Sequence, residues 1–164
     1  MQFAWSDGNQ ILKLKHAACV VVAAGLVTVA GIGAANAFEL KGASETAAVN
    51  ARLLQTEMMV AALACDLRPQ YNHAIRKFKK ELVGHGKVLR KIFRRNHGAS
   101  AQRRLDKYIT QLANDASARS NYDRVSYCRT AASLFDDVLA SSSSGFDQLT
   151  KKLIQEAAVP IKTR

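Results

Sequence analysis

Residues 71–92 read YNHAIRKFKKELVGHGKVLRKI. Within them Tyr71, Ile75, Phe78, Leu82, His85, Leu89 and Ile92 alternate spacings of four and three, the seam of a helix that turns one stripe toward another helix. A half-buried strand would need apolar residues at every second position, and no such run stands out in the chain. Gly84 and Gly86 fall inside the stretch, and each costs about 1 kcal/mol relative to Ala in a helix interior. A kink or a two-helix split there is the alternative; the unbroken phase across both glycines predicts one long helix.

Working outward, the same periodicity recurs on both sides. Upstream, Ser44 is a candidate N-cap with Glu45 in the first turn, where a negative charge suits the positive end of the helix dipole. Val49, Leu53, Val60 and Leu63 then mark one face of a helix ending near Cys65, and Pro69 enforces the break that follows. Downstream, Asn96-His97-Gly98 ends the long helix with a glycine cap, and Ser100 starts the next. Leu105, Tyr108 or Ile109, Leu112 and Ala116 supply its buried stripe. A polar break over Ser117–Asn121 leads to Val125, Cys128, Ala132, Phe135 and Leu139, spaced three, four, three and four. Ser141–Ser144 with Gly145 reads as a connector, and Phe146, Leu149 and Leu153 form a short last helix before Pro160. The expected fold is all-α, a four- or five-helix bundle.

Composition agrees. The 164 residues are 48% apolar and 23% charged, with 9 Gly and 2 Pro; that supports a packed core and excludes collagen-like, low-complexity and wholly disordered chains. The length fits one domain once the N-terminus is set aside. Lys13, Lys15 and His16 precede a stretch, Ala17–Ala37, without a charged residue, which closes on Ala35-Asn36-Ala37. Basic, apolar and small-residue regions in that order are the pattern of a secretory signal peptide, with cleavage expected after Ala37 and a single helical domain over residues 38–164. An uncleaved anchor is the competing reading, because about 20 apolar residues can span a bilayer; Gly31, Gly33 and the closing alanines make it a weak one. Cys19 lies at the start of the apolar run, whereas a lipidated cysteine follows it.

Removing the leader leaves Cys65 and Cys128, an even count that in an exported chain predicts one disulfide. Two buried free thiols are the alternative. Such a bridge would contribute about 4 kcal/mol on chain-entropy grounds. There is no C-x-x-C redox motif and no C-x-x-C-H haem attachment site.

The charge is confined to one segment. Between Arg76 and Arg104 stand eleven cations, Arg76, Lys77, Lys79, Lys80, Lys87, Arg90, Lys91, Arg94, Arg95, Arg103 and Arg104, against the single acid Glu81. Residues 38–164 carry 22 basic and 12 acidic side chains, so everything outside the segment sums to zero. The cations avoid the apolar seam, which predicts one positive face over a neutral body; such a face concentrates anions. In an exported protein the expected partner is an anionic envelope polymer, a membrane surface or an acidic protein. The bland alternative is a solvated face that keeps the domain soluble. A structural subunit of an envelope assembly, held by apolar helix faces and indifferent to the charges, is the competing functional reading. Nucleic acid is disfavoured by the leader, by the presence of only Phe78 and Phe93 as aromatics in the segment, and by the lack of zinc-finger, RNP or KH signatures.

No catalytic signature appears among the nucleophile-elbow, H-E-x-x-H, Walker and dinucleotide motifs, and no enzyme, cofactor or metal is expected. His73, His85 and His97 are twelve residues apart in succession, which is not a chelating i, i+4 pair. His85, on the seam, reads as a hydrogen-bonded core histidine, with a metal or haem ligand and a pH-sensitive core residue as alternatives. Asp136-Asp137 reads as solvated surface, and Asn114 as a helix-to-helix hydrogen bond.

Overall fold

A computed structural model describes residues 39–156, and the expected leader, residues 1–37, lies outside the described residues. Six α-helices follow in order: α1 (Ala43–Ala64), α2 (Arg68–Lys77), α3 (Lys79–His97), α4 (Ala101–Tyr122), α5 (Arg124–Ala140) and α6 (Phe146–Glu156). Short 3₁₀ turns at Gly98–Ser100 and Ser143–Gly145 lead into α4 and α6. No strand occurs among the described residues. Only Phe78 separates α2 from α3, and hydrogen bonds run across it: its N–H donates to the Ala74 carbonyl at 3.0 Å and its carbonyl accepts from Leu82 N–H at 2.9 Å. Counted as one interrupted rod, α2 and α3 make this the expected five-helix bundle.

The bundle is organised around α1, which packs against all five other helices. Its sequence, ASETAAVNARLLQTEMMVAALA, has buried residues on every side, from Val49 and Leu53 to Leu54, Met58 and Ala61. A helix apolar all round has to sit inside, and its many alanines let neighbouring backbones approach closely. One core region joins Leu54, Met58 and Ala61 of α1 to Phe78, to Phe135 and Val138 of α5, and to Phe146 and Leu153 of α6. A second joins Val49 to Leu89, Ile92 and Phe93 of α3 and to Ala101 and Leu105 of α4. The Cys65–Cys128 disulfide ties the C-terminal end of α1 to α5.

The predicted α3 seam is largely correct: Phe78, Leu89 and Ile92 are buried, and Tyr71, Ile75, Leu82 and His85 are half-buried. The interruption falls at Phe78 rather than at Gly84 or Gly86, which lie within unbroken α3. There the Phe78 ring packs 4.8 Å from that of Phe146. Further expectations are corrected. Leu63 and Val125 are 59% and 72% exposed, and α5 buries Ala131 and Val138 ahead of the expected Ala132, which is exposed, and Leu139, which is half-buried. The Ser117–Asn121 stretch continues α4, because Ser120 satisfies its hydroxyl by donating to the Ser117 carbonyl at 2.9 Å. The chain turns instead at Asp123, whose carboxylate caps α5 by accepting from Ser126 N–H at 3.0 Å. Ser44 is not a cap, since α1 begins after Gly42 (φ 82°) without a side-chain cap on it, and Asn114 is exposed.

Burial on all sides of α1 makes its interior positions costly to truncate. Met58→Ala, at a site 1% exposed, is expected to lower the unfolding free energy by about 2–5 kcal/mol. Leu63→Ala on the same helix should stay within about 0.5 kcal/mol. Urea titrations followed by circular dichroism check this, and equal losses would contradict the central placement of α1.

Candidate anion-binding face

At about 100° per residue along α3, the cations Lys79, Lys80, Lys87, Arg90, Lys91, Arg94 and Arg95 fall within an arc of about 160° opposite the buried seam. Burial of Leu89, Ile92 and Phe93 against α1 and α4 fixes that arc toward solvent. Arg76 of α2 and Arg103 of α4 are exposed as well. Thus nine of the eleven sequence-predicted cations are exposed, and Lys77 and Arg104 are half-buried.

Lys77 and Arg95 are committed to the fold. Lys77 donates from Nζ to the Leu139 carbonyl at 2.5 Å and lies 5.5 Å from the Phe78 ring centroid, pinning α2 to α5. Arg95 grips Glu45 through two contacts of 2.5 and 2.8 Å, and also donates to the Glu39 carbonyl at 2.8 Å. Glu45 in turn accepts from Lys41 N–H at 2.6 Å. Asn96 adds to this clasp by accepting from Glu39 N–H at 3.3 Å while donating to the Ile92 carbonyl at 2.9 Å. The start of the described chain is thereby strapped to the end of α3, while Lys79, Lys80, Lys87, Arg90, Lys91 and Arg94 are exposed.

A cleft of about 240 Å³ opens where α3 ends and α4 begins. Gly98, with φ 50°, makes the turn that only a residue lacking Cβ adopts readily. Arg90, Arg94 and Gln102 line the cleft, together with buried Phe93 and Leu105. Neither arginine has an ion pair or hydrogen bond among the described residues. Nearby, half-buried Arg52 has its guanidinium pushed below the ordinary arginine value, chiefly by burial and further by the positive charge of Arg90. Burial pushes the Tyr108 hydroxyl up to about 12, so this phenol supplies no negative charge at neutral pH.

The histidines stay apart in role. His85 is hydrogen-bonded to Asp147 of α6 at 2.7 Å and lies 5.9 Å from the Phe146 ring; His97 lies against Phe93 at 5.6 Å, and His73 is exposed. No group of three His, Cys, Asp or Glu side chains able to hold a metal occurs among the described residues. Both Asp136 and Asp137 are exposed, as expected. Elsewhere, Arg119 of α4 pairs with Glu57 of α1 at 2.5 Å. Tyr127 stands beside that pair, its hydroxyl held protonated by burial first and by the Glu57 charge second.

Sequence reasoning found the cations but not the cleft. Gly98 had been read only as a helix end, and the approach of Gln102 and Leu105 to Arg90 and Arg94 depends on how α4 folds back. Among the described residues no helix is long and apolar enough to cross a membrane. No family model matches the chain, nor does any curated protein or solved structure.

The Glu45 clasp carries a pH signature. The hydrogen bond from Arg95, followed by that from Lys41, lowers the Glu45 carboxyl from 4.5 to about 2. A carboxyl whose folded-state value is depressed stabilises the fold above its unfolded value and loses that contribution as pH falls through the folded value. Wild type should therefore lose melting temperature faster than Glu45→Gln between pH 4.5 and about 2, and the two curves should converge at the acid end. Parallel curves over that window would show that the clasp does not contribute.

Proposed function

We propose that the chain is an exported, non-enzymatic helical protein that binds an anionic component of the cell envelope, phospholipid, lipopolysaccharide or acidic glycan, or an acidic partner protein, through the outer face of α3. The observation that carries this reading is the confinement of charge: residues 76–104 hold eleven cations and one acid, and the rest of residues 38–164 is neutral. Random placement of surface lysines would not produce that division. The mechanism is electrostatic attraction, with no covalent step. Export is supported by the order of basic, apolar and small residues over 1–37, and by a Cys65–Cys128 bridge of the kind that persists in oxidising compartments.

The pattern also has an energetic cost. Like charges four apart on one helix, Lys87 with Lys91, Arg90 with Arg94 and Lys91 with Arg95, destabilise it by about 0.2–0.5 kcal/mol per pair. Bound anions offset that repulsion. A second reading, a subunit docked through apolar surface, is favoured by the exposed Leu63, Tyr122 and Val125.

Co-sedimentation of the mature protein with anionic vesicles, neutral vesicles and purified lipopolysaccharide separates the two readings. Pelleting with the anionic samples alone is expected at about 0.1 M salt, fading near 1 M as the Debye length falls from about 10 Å to about 3 Å. Exchange of Lys79, Lys80, Lys87 and Lys91 for Glu, all four exposed, should abolish pelleting while preserving the helical circular dichroism spectrum. Unchanged pelleting of that variant would overturn the electrostatic reading, and salt-resistant association would favour the apolar one.

A further inference from the structure

The cleft at the α3–α4 corner differs from the rest of the cationic face because charge there adjoins buried apolar surface. Arg90 and Arg94, one turn apart on α3, line it together with Phe93 and Leu105, which are 2% and 6% exposed. Gly98, Ala99 and Ala101 contribute little side-chain bulk, so the space between the helices stays open. Its volume, about 240 Å³, is below the roughly 300–1,000 Å³ of sites that enclose a whole drug-sized ligand. It suits a head group with the first part of its apolar stem.

Electrostatics at this corner are one-sided. No acidic side chain lies in the first turn of α4, and Ser100 does not cap it; the Ser100 hydroxyl donates instead to the His97 carbonyl at 2.9 Å. Arg103 stands in that same first turn, where a cation opposes the positive end of the helix dipole. Asp106, the nearest acid along α4, accepts from the Gln102 amide at 2.8 Å. Arg52 adds a partly desolvated cation whose guanidinium feels the charge of Arg90. Neither Arg90 nor Arg94 is paired with a carboxylate among the described residues, and guanidinium pairs match the oxygens of phosphate in bidentate fashion.

We propose that this cleft is a binding site for a phosphate monoester carried on an apolar stem, its phosphate held between Arg90 and Arg94 and its stem against Phe93 and Leu105. This rests on the reading of the α3 face as an anion-binding surface and gives that surface a preferred ligand chemistry. The phosphate can belong to a membrane lipid or to a free amphiphile. A surface that recognises charge alone would not distinguish either from inorganic phosphate.

Octyl phosphate below its micelle concentration, inorganic phosphate and neutral octanol are the probes, with binding read by calorimetry and by the shift in melting temperature. Octyl phosphate should bind with one-to-one stoichiometry at least tenfold more tightly than inorganic phosphate, and octanol should not bind measurably. Arg90→Gln with Arg94→Gln should weaken octyl phosphate binding at least tenfold. Ala99→Phe, which adds bulk at the cleft without changing charge, should weaken it as well while leaving inorganic phosphate binding unaltered. Equal affinity for octyl phosphate and inorganic phosphate, or wild-type affinity in both variants, would overturn the cleft assignment. Anionic vesicles distinguish the sources: wild-type pelleting that falls in the Arg90 and Arg94 variant places the phosphate on a lipid, whereas unchanged pelleting restricts the cleft to free amphiphiles. If octyl phosphate fails to bind while vesicles still pellet the protein, the cleft proposal fails and the face reading stands. If neither binds, the cleft proposal fails and the face reading loses its phospholipid form.

Discussion

Everything in this molecule depends on burying α1 from all directions. A helix with Val49 facing one set of neighbours and Leu54, Met58 and Ala61 facing another cannot be satisfied by a single partner. Alanines along it keep the inter-helix distances short, and five helices close around it. Each of those five then needs only one apolar stripe, which is why α3 and α6 are amphipathic and α1 is not. The disulfide acts on the same element, since Cys65 lies just beyond the end of α1.

The charged face follows from that arrangement. With Leu89, Ile92 and Phe93 held against α1 and α4, the opposite side of α3 has no choice but to face outward. Lys77 stitches the middle of the α2–α3 rod to α5, and Arg95 stitches its C-terminal part to residues 39–45, so the cationic surface is presented on a fixed scaffold. Exposed ion pairs are screened by water and contribute little to stability, and the role of Arg95 is chiefly to fix geometry. The exposed lysines and arginines along the outer side of α3 repel one another at i, i+4 spacing. Their retention on a single face is the physical argument for an anionic partner.

The α3 seam was legible in the sequence because one side of that helix is buried and the other is not, which preserves a clean four-three period. Cys65 and Cys128 were legible from parity and from the inward phase of Cys128. The α1 pattern was readable only in part: burial on all sides blurs the period, and a stripe drawn through Val49, Leu53 and Val60 extends wrongly to Leu63. On α5 the stripe was misplaced by one position at Ala132, and Val125 lies too close to the turn at Asp123 to reach the core. Phe78 interrupts the rod for a tertiary reason, its packing on Phe146, that no local rule supplies. The cleft was illegible for the same reason, because residues from two helices form it and Gly98 only sets the turn between them.

A ¹H–¹⁵N correlation titration of the folded protein with a short inorganic polyphosphate tests the central claim most directly, that anions engage the outer face of α3 and leave the bundle intact. The account predicts shift changes confined to residues 76–104, strongest around Arg90 and Arg94, silent on α5 and α6, and reversed by about 1 M salt. Changes spread evenly over the six helices, or centred on the Glu57–Arg119 side, would contradict it.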